Sequence, residues 1–160
     1  MNRRLFLATG ASAATLAGCA PMATGPDIVD VAMANDGNFS TLLAAVQQAG
    51  LVETLQGPGP FTLFAPTNSA FGRLPAGTVD DLLLPENRDR LVEVLTYHVV
   101  PGAITSDQLV GQRQDVATVQ GATVTVDGTH GVRVNGARVV AADLMARNGV
   151  IHAIDGVLLP

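Results

Sequence analysis

The chain has 160 residues, 48% of them hydrophobic and 14% charged, which predicts one globular domain with a core large enough to need no disulfide or metal. It contains no lysine, and its nine basic residues, all arginine, face fourteen acidic residues, giving a formal net charge of −5. This balance argues against the broad basic surface that nucleic acid or anionic lipid would require.

The first 18 residues, MNRRLFLATGASAATLAG, have the layout of an export signal. Arg3 and Arg4 with the residues that follow resemble a twin-arginine signal, and the apolar stretch after them is too short to span a bilayer as a helix. Residues 16–19, LAGC, resemble a bacterial lipobox, in which Cys19 is lipidated and becomes the first mature residue. A diacylglyceryl group with a further acyl chain, such as palmitate, would anchor the protein to a membrane.

Residues 19–26 then form a short tether before the folded domain, which is predicted to occupy residues 27–160 and to be monomeric. The seven residues from Ala20 to Pro26 reach at most about 25 Å when fully extended. We therefore expect an exported, envelope-located lipoprotein whose domain stays close to a bacterial membrane, on its periplasmic or cell-surface face.

Helical patterns fill most of the first half of the domain. Asp27 to Val31 begins a short helix, and Ser40 is a candidate N-cap for a second helix that ends at Gly50. Phe61 to Ala65 predicts a buried strand, after which Thr67 or Asn68 can cap a short helix. Further helical segments are predicted at residues 51–55, 79–84 and 86–95.

The second half changes to the two-residue alternation of strands. Asn135-Gly136 lies between valine- and arginine-containing runs and predicts a type I′ hairpin turn. Helices followed by mostly antiparallel strands indicate an α+β domain. The predicted strands are residues 116–119, 123–126, 132–134, 138–140 and 150–154.

The residues that could carry chemistry are few and widely separated. His98, His130 and His152 are the only histidines, and their spacings of 32 and 22 residues do not match a metal site. No G-x-S-x-G motif, phosphate loop or dinucleotide fingerprint occurs, so we expect no enzymatic activity and no cofactor. The mature chain has one Tyr and no Trp, which disfavours a lectin that stacks sugars on aromatic rings.

Residues 96–102, TYHVVPG, place the only tyrosine next to a histidine. We expect Tyr97 and His98 to begin a short strand, in which their side chains would face opposite ways and could not be equally buried. Two roles remain open for the pair: one side chain hydrogen-bonds inside the domain and holds the strand in place, or the pair contacts a partner.

Three stretches together resemble the fasciclin domain family. FTLFAPTNSAF (residues 61–71) and NGVIHAIDGVLLP (148–160) are similar to its two signature boxes, and LTYHVVPG (95–102) is similar to the segment between them. The similarity covers essentially the whole mature chain. The box residues we single out as structural are Phe64, Pro66, Thr67, Asn68, Phe71, His152 and Asp155.

The resemblance implies a wedge-shaped β-sandwich-like core with a layer of short helices, no enzyme activity, and a role in cell adhesion or matrix assembly. In animal members the Tyr-His segment has been proposed to bind integrins, a partner that does not transfer automatically to a bacterial lipoprotein. The residues concerned here would be Leu95, Tyr97, His98, Val99 and Val100.

The leading hypothesis is a non-enzymatic, membrane-tethered module that binds a protein or matrix polymer of the cell envelope. An alternative is a small-molecule or lipid-binding protein that uses a cleft between the helices and the sheet. A third, an envelope hydrolase, would need activity that depends on Ser69 or His98.

Overall fold

The computed structural model describes residues 25–160, so the predicted export signal, Cys19 and the tether as far as residue 24 lie outside the described part of the chain. Seven α-helices and one 3-10 turn occur in this part, mostly in its first half. The helices are α1 (Ile28–Ala34), α2 (Asp36–Ala49), α3 (Val52–Leu55), α4 (Asn68–Phe71), α5 (Thr78–Leu83), α6 (Arg88–Tyr97) and α7 (Ser106–Leu109), with the 3-10 turn at Pro85–Asn87.

Seven strands form one sheet in the order β2-β1-β7-β6-β5-β4-β3. β1 and β7 pair in parallel, and every other neighbouring pair is antiparallel. The strands are β1 (Phe61–Pro66), β2 (Val99–Pro101), β3 (Arg113–Ala117), β4 (Thr123–Asp127), β5 (Arg133–Val134), β6 (Ala137–Ala146) and β7 (Gly149–Ile154).

The sheet curls so that its central strands are covered on both faces. Leu63 of β1 and Ile151 of β7 pack with the helices in one buried cluster, whereas Phe64 and Ile154 belong to a second cluster with β4 and β5. The backbone N–H of Val119 donates to the carbonyl of Val99 at 2.8 Å, which brings the two edges of the sheet together. This arrangement is the expected α+β, sandwich-like core with a helical layer.

Several sequence predictions are confirmed in detail. Asp27 caps α1 and accepts a hydrogen bond from the N–H of Asp30 at 2.9 Å, and Gly50 ends α2 in the left-handed conformation. Asn135 and Gly136 have φ of 48° and 90°, as a type I′ turn requires. These features depend on a few neighbouring residues, which is why the sequence shows them.

Two predictions were wrong. Ser40 is not an N-cap, because α2 already begins at Asp36, directly after α1, and Ser40 lies inside it. Tyr97 and His98 are not strand residues: Tyr97 is the last residue of α6, His98 is its C-cap, and β2 begins only at Val99. The expectation that the two side chains could not be equally buried was wrong as well, because both are buried, with exposures of 6% and 1%.

No helix within residues 25–160 combines the length and apolar character that crossing a bilayer demands.

Candidate functional site around Tyr97 and His98

The Tyr97–His98 corner is the junction between α6 and β2. Leu91, Val94 and Leu95 lie on one face of α6 because they are three or four residues apart or adjacent to such a position, and this face packs against the core. The chain then turns at His98 and enters β2, whose first residues are buried on both sides. All five residues that the Tyr-His segment contributes to the candidate site are 6% exposed or less: Leu95, Tyr97, His98, Val99 and Val100.

Both ring nitrogens of His98 are engaged by backbone groups. Nδ1 lies 2.7 Å from the carbonyl oxygen of Val94, and the N–H of Leu158 donates to Nε2 at 3.0 Å. A carbonyl can only accept, so Nδ1 carries the proton and the ring is neutral. Burial lowers the pKa of His98 to about 4, and the bond to the Val94 carbonyl opposes this shift only in part.

The hydroxyl of Tyr97 joins two elements of the other half of the sheet. It donates to the carbonyl of Thr123 at the start of β4 at 3.2 Å, and it accepts from Nδ2 of Asn135 in the β5–β6 turn at 2.9 Å. The ring packs in the second buried cluster with Phe64 and Leu158. The side chains of Tyr97 and His98 therefore connect the end of α6 to different parts of the domain.

We expect Tyr97→Phe to lower the free energy of unfolding by about 1 kcal/mol, because the ring stays buried and only the two hydrogen bonds of its hydroxyl are lost. Urea unfolding followed by circular dichroism measures this, since the chain has no Trp and the variant removes its only Tyr. An unchanged unfolding curve together with lost partner binding would instead assign Tyr97 to direct contact.

The first signature box connects β1 to the helical layer. Thr67 caps α4 by accepting from the N–H of Ala70, and Pro66 is the last residue of β1. Asn68 reaches α2, where its Oδ1 accepts from the N–H of Thr41 at 3.1 Å and its Nδ2 donates to Ser40 Oγ at 2.9 Å. Phe64 is fully buried, whereas Phe71 is half-buried.

The second box places His152 and Asp155 at different depths. His152 is fully buried in β7; its Nε2 lies 2.7 Å from the carbonyl of Ile104, and its ring stacks on Phe64 with centroids 5.7 Å apart. Asp155 accepts from the N–H of Arg138 at 2.8 Å and pairs with Arg73 at 3.0 Å. The Arg138 N–H, and after it Arg73, hold the pKa of Asp155 below its usual range.

Asn148, which the sequence reasoning did not single out, joins more segments than any predicted site residue. Its Oδ1 accepts from the N–H of Ile28 at 3.0 Å, and its Nδ2 donates to the carbonyls of Leu55 at 2.6 Å and Gly57 at 3.1 Å. Its own carbonyl accepts from the N–H of Phe61 at 2.9 Å. An Asn-Gly pair before a strand predicts only a turn, so no local signal shows these partners.

A second group missed in the sequence brings a serine, an aspartate and a histidine together. Ser106 donates from its N–H and its hydroxyl to the carboxylate of Asp143, and the N–H of Asp143 lies 3.4 Å from Nδ1 of His152. The Ser106 hydroxyl and N–H hold the pKa of Asp143 below its usual range.

This group is not arranged as a catalytic triad. A triad needs an imidazole nitrogen that takes the proton of the serine, whereas Ser106 is bonded directly to the carboxylate. The nitrogens of His152 face the carbonyl of Ile104 and the N–H of Asp143. Ser69 is exposed on α4, and the nitrogens of His98 are occupied by backbone groups. These contacts fasten segments of the chain and leave neither serine with a base.

The gap between the helices and the sheet beside His98 is narrow. An apolar gap next to His98, bounded by α2, α5 and α6, has a volume of about 10 Å³, which is room for about one water. This gap is too small for a lipid or a drug-sized ligand. Within residues 25–160, no three His, Cys, Asp or Glu side chains converge as a metal site would require.

Comparison with known proteins places this geometry in a family. Residues 37–160 match the family described as Fasciclin domain, and the chain belongs to that family. The FAS1 domain pair of the insect cell adhesion molecule fasciclin I has the same fold, with a TM-score of 0.72 over 84% of this chain at 18% identity. The match covers 51% of that structure, so this chain spans about half the length of the domain pair.

Two sequence relatives are closer in sequence than that structure. Protein sll1483 of Synechocystis is 58% identical over 134 residues, which cover 83% of this chain and 73% of the relative. Cell surface glycolipoprotein MPB83 of Mycobacterium bovis is 38% identical over 161 aligned positions, covering 89% of this chain and 70% of that protein.

Proposed function

We propose that this protein is a lipid-anchored, non-enzymatic module of a bacterial cell envelope that acts by binding a protein or matrix polymer. Residues 27–160 would form the interaction module, and Cys19 would carry the anchor. Two names support a surface role: a relative is called a cell surface glycolipoprotein, and the structural neighbour comes from a cell adhesion molecule.

The observation that carries the proposal is the inward direction of the candidate residues. Tyr97, His98 and His152 are buried, and every hydrogen bond described for their side chains goes to a group of the protein itself. Groups occupied in this way hold the domain together, and binding then falls to its outer surface. We accordingly assign the Tyr-His pair a fold-keeping role.

The base of the module lies where the tether enters it. The carbonyl of Pro26 accepts from the N–H of Arg147 at 2.9 Å, and the guanidinium of Arg147 lies 3.4 Å from the carboxylate of Asp27. These contacts hold the start of the domain beside the turn between β6 and β7. A lipid on Cys19 would therefore keep this end of the domain within about 25 Å of the membrane.

We expect Cys19→Ala to move the protein from the membrane fraction to the soluble fraction, because no acyl chain could then be attached. Cell fractionation with immunoblotting, and mass spectrometry of the mature N-terminus, measure the two consequences. Thr24→Ala, a change in the same tether that leaves the lipobox intact, is the matched control and should stay with the membrane. Membrane association of the Cys19→Ala protein, or an unmodified N-terminus in the native protein, would contradict the anchor.

A further inference from the structure

Strand register places four charged side chains in one row across the second half of the sheet. Arg113 of β3 lies opposite Asp127 of β4, Asp127 lies opposite Arg133 of β5, and Arg133 lies opposite Arg138 of β6. Directly opposed residues point to the same face of a sheet. Because neighbouring strands are about 4.8 Å apart, the three arginines span roughly 15 Å.

The row lies on the outer face of the sheet. The three arginines are exposed, while Val124, Val126 and Val134, which alternate with members of the row, are fully buried. In the part of the chain from residue 25 onward, the ion pairs are Arg73–Asp155 and Arg147–Asp27, so none of the row's arginines takes part in one.

Composition does not explain this arrangement, and folding explains only the two pairs that Asp127 makes with Arg113 and Arg133, because opposite charges directly across an antiparallel pair stabilise it. Residues 25–160 contain seven arginines and fourteen acidic residues, yet three of those arginines stand in a single row. Like charges directly opposite each other destabilise an antiparallel pair, and Arg133 and Arg138 are such a pair. The row carries three positive charges and one negative charge, and such a local excess of positive charge on an acidic protein points to an anionic partner.

The row is also far from the proposed anchor. Arg138 lies near the start of β6 and Arg147 just after its end; nine residues of fully extended chain span about 30 Å, and the register shifts within β6 shorten this distance. The contact between Pro26 and Arg147 fixes the tether at the second of these ends. If the module is anchored at the Arg147 end, the row lies farther from the membrane than the base of the module. It would then face material at that greater distance.

A polar groove adjoins the row and adds groups that recognise hydroxyls. Its volume is about 490 Å³, and it is lined by Arg113, Thr125, Asp127, Arg133, Asn135 and Gly136. Thr129 donates to Oδ1 of Asp127 from its N–H at 3.0 Å and its hydroxyl at 2.6 Å, and these bonds hold the pKa of Asp127 below its usual range. Because both bonds are made by Oδ1, Oδ2 can accept from a ligand.

We propose that this row and groove bind an acidic polysaccharide, with Arg113, Arg133 and Arg138 pairing with carboxylates and Asp127 accepting from sugar hydroxyls. Asp127, in the middle of the row, can accept hydrogen bonds from the sugar hydroxyls of a uronate chain, whereas the backbone of DNA has no hydroxyl to donate. Guanidinium groups also suit planar carboxylates, which they can bind through two parallel hydrogen bonds. This inference rests on the proposed envelope function and names the chemistry of the matrix partner.

Affinity electrophoresis of the full mature protein, purified from whole cells in detergent, through gels containing polygalacturonate tests the proposal. We expect retardation of the native protein that weakens with added salt, and a loss of apparent affinity of at least tenfold in the double variant Arg113→Gln/Arg133→Gln. Arg88→Gln/Arg90→Gln removes the same charge from the surface of α6 and should change the affinity less than twofold. Thermal melting of both double variants checks that they fold.

Three results would overturn the assignment: no retardation of the native protein by polygalacturonate at low salt, equal losses in the two double variants, or tighter binding to duplex DNA. DNA carries a higher density of charge, so a merely electrostatic surface would prefer it. The assay does not require the lipid, and fractionation of the Cys19→Ala protein tests the anchor separately. Failure of one proposal is therefore distinguishable from failure of the other.

Discussion

Gly149→Ala should lower the free energy of unfolding by about 4 kcal/mol, because the added methyl group would overlap the backbone of the neighbouring strand. A Cβ at this position would lie 2.0 Å from the carbonyl oxygen of Phe61 and 2.8 Å from Cδ1 of Ile28. Gly149 is the first residue of β7 and pairs with Phe61 of β1. The methyl group would therefore push apart the one parallel strand pair of the described sheet at its first position.

The same displacement would reach Asn148, whose side chain holds the start of α1 and the segment after α3. Chemical denaturation measures the loss. Gly37→Ala is the matched control, because no atom lies within 4 Å of a Cβ added there and the residue is helical. Alanine favours a helix over glycine by up to about 1 kcal/mol, so we expect this control to be neutral or stabilising. Equal stabilities of the two variants would contradict the close approach of β1 and β7.

The second large effect is a loss of stability on acidification that depends on His98. Its pKa is about 4 in the folded protein and 6.5 for an unperturbed histidine, so the unfolded chain binds more protons between these values. The contribution is fully present above pH 6.5 and declines as the pH falls toward 4. Integrated over this range, it amounts to about 3 kcal/mol.

The structural reason is that a second proton has no place on the ring. Protonated Nε2 would face the N–H of Leu158, so two donors would oppose each other inside the core. We expect the last residues of the chain, around Leu158, to lose their contact with α6 first. Hydrogen exchange at the Leu158 amide as a function of pH would follow this step.

Urea unfolding at several pH values between 4 and 7 tests the role of His98, using His98→Phe as the variant that cannot titrate. This variant should be less stable at pH 7, because the N–H of Leu158 loses its buried partner, and its stability should vary less with pH than that of the native protein. His130→Gln, a change in an exposed turn, is the control and should follow the native curve. A pH dependence of His98→Phe equal to that of the native protein would show that other groups cause the acid sensitivity.

The order and type of most elements could be predicted because their signals are local. Gly50 can adopt the left-handed conformation that ends α2, Thr67 can cap α4, and Asn135-Gly136 accommodates the two positive φ angles of a tight hairpin. Each signal needs only a few consecutive residues. The similarity of three stretches to one family also predicts how the elements are arranged in the fold, and the structural comparison supports that arrangement.

The Tyr-His segment could not be predicted locally because the residues on its two sides favour different structures. The β-branched Val99 and Val100 favour a strand, but no local signal shows that the strand begins only at Val99. In the structure α6 continues through Tyr97, since Leu91, Val94 and Leu95 lie on the face that it buries. A helix end and a strand start can be adjacent, and only the packing of the helix decides where one gives way to the other.

Sequence alone determined the class of this domain, the end of α2, the cap of α4, the β5–β6 turn and the lipobox-like start of the chain, because each depends on consecutive residues. Tertiary structure decided that Tyr97 and His98 are both buried, that Asn148 joins three segments, and that three arginines of an acidic protein stand in one row. These facts depend on strand register and on contacts between residues up to 120 positions apart. Such pairings are set by the packing of the whole core, which no short stretch of sequence contains.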